Sequence, residues 1–277
     1  MVIIITDLFL EIANGIHFKK SNSMLLSNFE KVKLWLNTGR NIFRDPYLKK
    51  ARALHQQEFS KKTTRTEIIN YLIQQTNAEK YLEIGVRNPD DNFNKVNCSN
   101  KYSVDPGVEY ELNPVDFKMT SDDFFIALGN GNLKLDKNIQ FDIIFIDGLH
   151  ISNQVDRDIS SALNHISDNG FIILHDCNPP TEFHAREVFS FHNTPAADTW
   201  NGTTWKAFCK YRFYENLSLA CLDTDWGIGV ITKKQIFNNL KENYNPFYEF
   251  QIFDEHRKEM LNLMDFDSFK QAVEKNK

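Results

Sequence analysis

Residues 140–180 leave this chain little freedom in how it folds. They read QFDIIFIDGLH, then a segment with helical spacing, then DNGFIILHDCNPP. The two apolar runs, 143–146 and 171–174, are short, rich in β-branched residues and uninterrupted, the pattern of a strand covered on both faces. Asp147 ends the first, and His175 and Asp176 follow the second. Between them Ile151, Val155, Ile159, Ala162, Leu163 and Ile166 follow one stripe of a 3.6-residue helix. Gly170 ends that helical region and lets the chain re-enter a sheet. Two strands joined by a crossover helix run parallel, and open parallel sheets bind ligands at their C-terminal edge. Asp147, His150, His175, Asp176 and Asn178 are therefore expected to converge there.

Upstream, Thr64 and Glu67 form a capping box, and Ile68, Ile69, Leu72 and Ile73 follow at helical spacing. In KYLEIGVRNPDDNF, residues 81–84 predict a strand and Gly85 the sharp turn after it. Asn88 is a good N-cap and Pro89 suits the first helical position. A helix starting there points free N–H groups at the sheet edge, which makes Gly85, Arg87 and Asn88 a candidate ligand-binding turn. The next strand-like stretch, 101–107, carries Asp105, 20 residues after Gly85. Nucleotide-binding βαβ units place a ribose-binding acid at about that distance. Residues 119–128 predict a polar loop and a short helix. After Pro180, residues 199–212 end in a helix and 219–232 make an antiparallel hairpin. The tail from Lys233 reads as helices, one through Ile236, Phe237 and Leu240, another through Met260, Leu261 and Met264. Residues 1–62 read as an N-terminal helical extension, with a capping box at Ser27 and Glu30, residues 63–232 as the α/β domain, and 233–277 as a helical tail.

Composition excludes several classes. The net charge is −5, which gives no reason to expect nucleic acid as a partner. No run approaches the ~20 apolar residues of a membrane span. The apolar start, MVIIITDLFL, is broken by Asp7 and lacks a basic leader and cleavage site. The four cysteines form no C-x-x-C pair, so reduced thiols in a cytoplasmic protein are expected. Basic residues at 49, 50, 52, 61, 62 and 65 read as a solvated surface or as the rim of an anionic-substrate site.

The segments EIG (83–85), VDP (104–106), SDDFF (121–125), FIDGLH (145–150), GFIILHDCNP (170–179) and DWGIGVI (225–231) resemble the class I S-adenosylmethionine-dependent methyltransferases. They are nearest the small-molecule branch that acts on sugar or catechol hydroxyls. The resemblance spans residues 64 to 232. It implies a doubly wound, mostly parallel seven-stranded Rossmann-like α/β sheet with a C-terminal antiparallel hairpin. It puts Glu83 and Gly85 under the methionine part of the cofactor, with Arg87 and Asn88 in the same turn, Asp105 on the ribose, Ser121 and Asp122 near the adenine, and Asp147 beside the cofactor. In metal-dependent members the carboxylates corresponding to Asp147 and Asp176 hold a divalent cation, Mg2+ or Mn2+, and the base falls on His150. The third ligand usually follows the second carboxylate directly; here that residue is Cys177, which leaves Asn178 or His150 to complete the set. His175 is a further catalytic candidate.

Methyl transfer to an alcohol needs such a site, because the hydroxyl is a poor nucleophile until its proton leaves. Trp200, Asn201, Trp205, Lys206 and Arg212 are candidates for the pocket of a small-molecule acceptor, since aromatic faces stack on sugar rings and cations hold acidic groups. Against this stand two alternatives. Asp223 and Asp225 form the D-x-D of metal-dependent nucleotide-sugar glycosyltransferases, or simply cap a hairpin. The fold could also serve a binding module without catalysis. An N-terminal extension of this kind can act as the arm of a homodimer.

Overall fold

The computed structural model describes residues 27–110, 112, 114–189, 193–240 and 242–276. The apolar start of the sequence, including the stretch weighed as a leader, lies outside them. The chain divides into two compact units, with the boundary between Leu48 and Lys49. In the first, helix α1 (Asn28–Arg44) starts at the Ser27–Glu30 capping box. Helix α2 (Pro46–Glu58) follows, and from Lys49 onward its residues belong to the second unit.

In the second unit the Thr64–Glu67 capping box opens α3 (Arg65–Thr76), which leads into β1 (Lys80–Ile84). Then come β2 (Asn100–Val104), α4 (Ser121–Gly129), β3 (Phe141–Ile146), α5 (Ser152–His165), β4 (Ile166–Leu174) and α6 (Thr204–Tyr211). The hairpin β5 (Ser218–Leu222) and β6 (Ile228–Thr232) follows, then α7 (Phe250–Glu255), α8 (Arg257–Leu261), β7 (Leu263–Met264) and α9 (Phe266–Lys275).

The sheet order is β2-β1-β3-β4-β6-β5-β7. The strands from β2 to β4 are parallel, and β6 runs antiparallel to both β4 and β5. This is the doubly wound, seven-stranded sheet with a reversed hairpin that the resemblance implies. Its two faces bury separate clusters. Leu82, Ile144, Ile172 and Trp205 lie in one, and Tyr81, Ile143, Phe171 and Phe269 in the other. Alternate residues of a strand point to opposite faces, so apolar runs this continuous belong inside a covered sheet.

Register sets the height of the functional edge. Ile84 pairs with Val104 and Ile146, and Ile146 with Leu174. The ladder continues one residue further, from Gly85 N to Val104 O, Asp147 N to Ile84 O and His175 N to Ile146 O, at 2.9, 2.9 and 3.1 Å. Gly85, Asp105, Asp147 and His175 therefore stand level, each at the C-terminal end of a different strand.

Two predicted helices do not form. After Gly85 the chain makes turns and a short 3-10 helix, Phe93–Lys95, where an α-helix from Asn88 was expected. The polar run competes with helical bonding: Asn88 Oδ1 accepts from Asp90 N, and Asn94 Nδ2 donates to Asp90 Oδ1. In the tail, the expected helix through Ile236, Phe237 and Leu240 is irregular. There the backbone N–H groups of Ile236 and Phe237 donate to Ser218 Oγ. Met260 and Leu261 are helical, whereas Met264 sits in β7, paired with β5.

Candidate active site

Asp147 follows β3 directly, and His150 stands three residues on, just ahead of α5. His175 and Asp176 follow β4. His175 Nδ1 lies 3.1 Å from Asp147 Oδ1 and 3.1 Å from Asp176 Oδ2. His150 closes the other side, with Nδ1 3.1 Å from Asp176 Oδ2 and Nε2 3.4 Å from Asp147 Oδ1. The ligand atoms of Asp147, His175 and Asp176 are close enough to share one metal ion. Asp176 has a left-handed φ of 61°, a backbone conformation uncommon for a residue with a Cβ.

The groups set each other's charge. Burial disfavours ionised Asp147, but His175 and Arg65 beside it more than reverse this and hold the carboxyl well below the usual range. Burial pulls His150 down, yet Asp176 and Asp147 raise it to about 9. His175 is likewise pulled down by burial and raised well above the ordinary range by Asp147 and Asp176. Glu83, at the same end of β1, goes up to about 7 by burial, although Tyr81 Oη and Asn92 Nδ2 donate to its Oε2 at 2.5 and 2.9 Å.

Three participants come from far along the chain. Arg65 Nη1 lies 2.8 Å from His175 Nε2 and 3.4 Å from Asp147 Oδ2. Asn201, fully buried, donates from Nδ2 to Asp176 Oδ1 at 2.8 Å and to Trp226 O at 3.1 Å. Asp225 Oδ1 lies 3.1 Å from His175 Nε2. Sequence reasoning placed Arg65 in a basic cluster read as a solvated surface or a substrate rim, Asn201 in the acceptor pocket and Asp225 in a D-x-D or a hairpin cap. Their one shared sequence signal is a position at a turn or an element start.

The other predicted residues divide. Gly85 has a φ of 89°, and a Cβ there would lie 2.2 Å from Asp147 O, so glycine is what lets β1 pass under the start of the site. Asp105 Oδ1 accepts from Gly107 N at 2.6 Å. Arg87 pairs with Asp91 at the exposed edge of the turn. Ser121 Oγ donates to Asp158 Oδ1, and Asp122 binds Arg157. Trp200 stacks at a tilt over His150, with ring centroids 5.4 Å apart, and its backbone oxygen lies 3.0 Å from His150 Nδ1.

Asn178 does not join Asp147 and Asp176. Its Nδ2 donates to Asp223 Oδ1 and its Oδ1 accepts from Arg257 Nη1. Cys177 is buried against Gly229 on the covered side of the strand, so the residue before Asp176, not one after it, completes the cluster. Trp205 and Arg212 leave the acceptor pocket as well. Trp205 is fully buried, with Phe253 at 4.3 Å, and Arg212 is spent on the carbonyls of Met260, Leu219 and Asn238. Lys206 lies on the surface side of that helix near Glu187, at 3.7 Å.

A family described as a methyltransferase domain matches residues 103–177, from the end of β2 to the residue after Asp176. No curated protein matches the sequence. Among solved structures, an O-methyltransferase from Bacillus cereus in complex with SAH is similar at 16% identity, over 73% of this chain and 99% of that one, with a TM-score of 0.42. A SAH-bound methyltransferase from Podospora anserina, PaMTH1, is similar at 12% identity over 77% and 100% of the two chains, TM-score 0.40. TomG of Streptomyces achromogenes, an O-methyltransferase solved with SAM, is similar at 11% over 68% and 89%, TM-score 0.41. The segment from the end of β2 through β4 and the site residues behind it is thus similar to a methyltransferase domain.

Proposed function

We propose that this protein transfers a methyl group to a hydroxyl oxygen of a small polyhydroxylated acceptor, such as a sugar or a catechol, with help from a divalent cation. The observation that carries the proposal is the meeting of Asp147, His150, His175 and Asp176 on the edge that also holds Gly85 and Asp105. The methyl donor is S-adenosylmethionine. Asp105, at the end of the second strand, suits its ribose, the Glu83–Asn88 turn its methionine part, and Ser121 and Asp122, at the start of α4, its adenine.

The donor set also fits Mg2+ or Mn2+. Two carboxylates and an imidazole stand close together, and the buried Asn201, whose Nδ2 binds Asp176, has an Oδ1 with no hydrogen-bond partner among the described residues. Bound there, the cation supplies a lower pKa for the acceptor hydroxyl. In this reading His150 takes the proton. At about 9 it would already hold one, because Asp176 and Asp147 raise it. Once a cation matches their charge, that cause is removed and His150 returns towards its ordinary range. Trp200 gives the acceptor ring a face to stack on.

The D-x-D alternative gains nothing from the geometry. Asp223 is bound by Lys61 at 2.7 Å and by Asn178, while Asp225 faces His175 and Arg65. The cytoplasmic setting we assign suits four free cysteines, three of them buried. The test is methyl transfer from S-adenosylmethionine to a panel of catechols and sugars, followed by mass spectrometry with Mn2+ or with EDTA. We expect turnover that needs the cation and falls about 10²–10⁴-fold in His150→Gln. Turnover unchanged by EDTA and by that substitution would refute the assigned roles.

A further inference from the structure

The turn from Asp225 to Gly227 is unusual for a hairpin connection. Three consecutive residues, Asp225, Trp226 and Gly227, take left-handed φ values of 44°, 63° and 92°. Residues with a Cβ hold that region only where their surroundings enforce it. Here Trp226 N donates to Glu58 Oε1 at 3.0 Å. The N–H groups of Cys177 and Asn178 donate to Gly227 O and Trp226 O at 2.9 and 3.0 Å. A Cβ on Gly227 would lie 2.2 Å from Asn178 N. The turn is thus clamped directly behind the residues that follow Asp176.

The clamp fixes the Asp225 carboxylate. Its Oδ2 accepts from Arg65 N at 2.7 Å, and its Oδ1 lies 3.1 Å from His175 Nε2. The opposite nitrogen of that ring, Nδ1, faces Asp147 and Asp176. A neutral imidazole has one proton to place. With the proton on Nε2, the ring donates to Asp225, and the Nδ1 lone pair points between Asp147 and Asp176. With the proton on Nδ1, Nε2 becomes an acceptor for Arg65 Nη1, 2.8 Å away. Only the first form leaves Nδ1 able to bind a metal ion. A carboxylate behind a liganding imidazole is the usual device for fixing that form.

Asn201 points the same way independently. It is fully buried, its Nδ2 is bonded to Asp176 and Trp226, and among the described residues its Oδ1 has no hydrogen-bond partner. A buried acceptor with nothing to accept from is rare, and a positive ion nearby would satisfy it.

We propose that Asp225 is the orienting carboxylate of a divalent-cation site formed by Asp147, His175 and Asp176, and that it holds His175 with its proton on Nε2 so that Nδ1 is the ligand. This rests on the cation-assisted function proposed above. Asp225 is a positioning residue: it acts through His175 and touches neither acceptor nor donor. The competing charge is Arg65, whose guanidinium faces Asp147 and the same ring edge as Asp225. Asp223 takes no part, being held by Lys61 and Asn178.

The test is Mn2+ titration of the full chain, followed by electron paramagnetic resonance, for wild type, Asp225→Asn and Asp225→Gly. Asn and Gly both accept a left-handed φ, so neither strains the turn. Calorimetry with S-adenosylhomocysteine on the same samples reports the fold and the donor site. We expect Mn2+ affinity to fall about 10-fold in Asp225→Asn and towards ~100-fold in Asp225→Gly, with homocysteine-analogue binding unchanged. In the Mg2+-loaded wild type, 1H–15N spectra should show the His175 proton on Nε2. Variants that bind Mn2+ like wild type, or a His175 proton on Nδ1, would overturn the role of Asp225 and leave the cation site standing. A wild type that binds the analogue but no Mn2+ would overturn both the role and the cation. An equal loss of Mn2+ and analogue binding in the variants would show that Asp225 serves only the fold.

Discussion

Raising the pH should destabilise the cation-free protein through His150. In the folded chain Asp176 and Asp147 raise this imidazole from 6.5 to about 9. The protonated form is thus favoured by folding. Its contribution is complete below about pH 6.5 and is lost as the pH rises through about 9. At ~1.4 kcal/mol per pH unit, a gap of that width is worth up to about 3 kcal/mol. The side chain is 22% exposed, so solvent screening trims the figure only in part. The assay is urea unfolding in EDTA between pH 6 and 10, for wild type and His150→Gln. Glu83 also loses stability with rising pH, because burial raises its carboxyl to about 7; its contribution is present below about 4.5 and lost through 7. The difference between the two proteins removes that common part. We expect wild type to lose its advantage over the variant between pH 6.5 and 10, and saturating Mg2+ to flatten the curve. A difference that stays constant over this range, or grows with pH, would refute the charge assignment.

Other outcomes follow from the same geometry. Arg65→Gln removes a cation 3.4 Å from Asp147 Oδ2 while keeping the backbone N–H that holds Asp225, so Mn2+ affinity should rise in titration; a fall would show that the guanidinium supports the site. Gly85→Ala places a Cβ 2.2 Å from Asp147 O at a φ of 89°, and should cost at least about 2 kcal/mol in urea unfolding, whereas a near-neutral result would contradict the close passage of the two strand ends.

Much of the fold was legible because buried parallel strands leave a plain mark. Apolar runs that stop at Asp147 and at His175–Asp176 mark both the strand and its C-terminal edge, and register then brings the edges level. What escaped was of two kinds. Arg65, Asn201 and Asp225 come from a helix start, a loop and a hairpin turn, and meet His175 and Asp176 only through the closed fold, so no local pattern singles them out. Trp205 and Arg212 carry a legible signal of a different kind, that of packing. Trp205, Phe208, Cys209 and Arg212 recur at i, i+3, i+4 and i+7, the spacing of a buried stripe. That spacing places Arg212 inside with the rest, where its long side chain binds backbone carbonyls. The failed helix after Asn88 shows a similar competition. The capping signals of Asn88 and Pro89 are outweighed by the polar residues behind them, whose side chains bond to the local backbone and to one another.

The most direct measurement is calorimetric titration of S-adenosylhomocysteine into wild type and Asp105→Asn. The substitution keeps an oxygen to accept from Gly107 N, so the turn survives, but it removes the charge proposed to hold the ribose. Charged hydrogen bonds are worth about 1.5–3 kcal/mol each, and the account predicts one-site binding to wild type that weakens roughly 10- to 100-fold in the variant. No heat with wild type, or equal affinity in the two proteins, would contradict a donor site along this edge of the sheet.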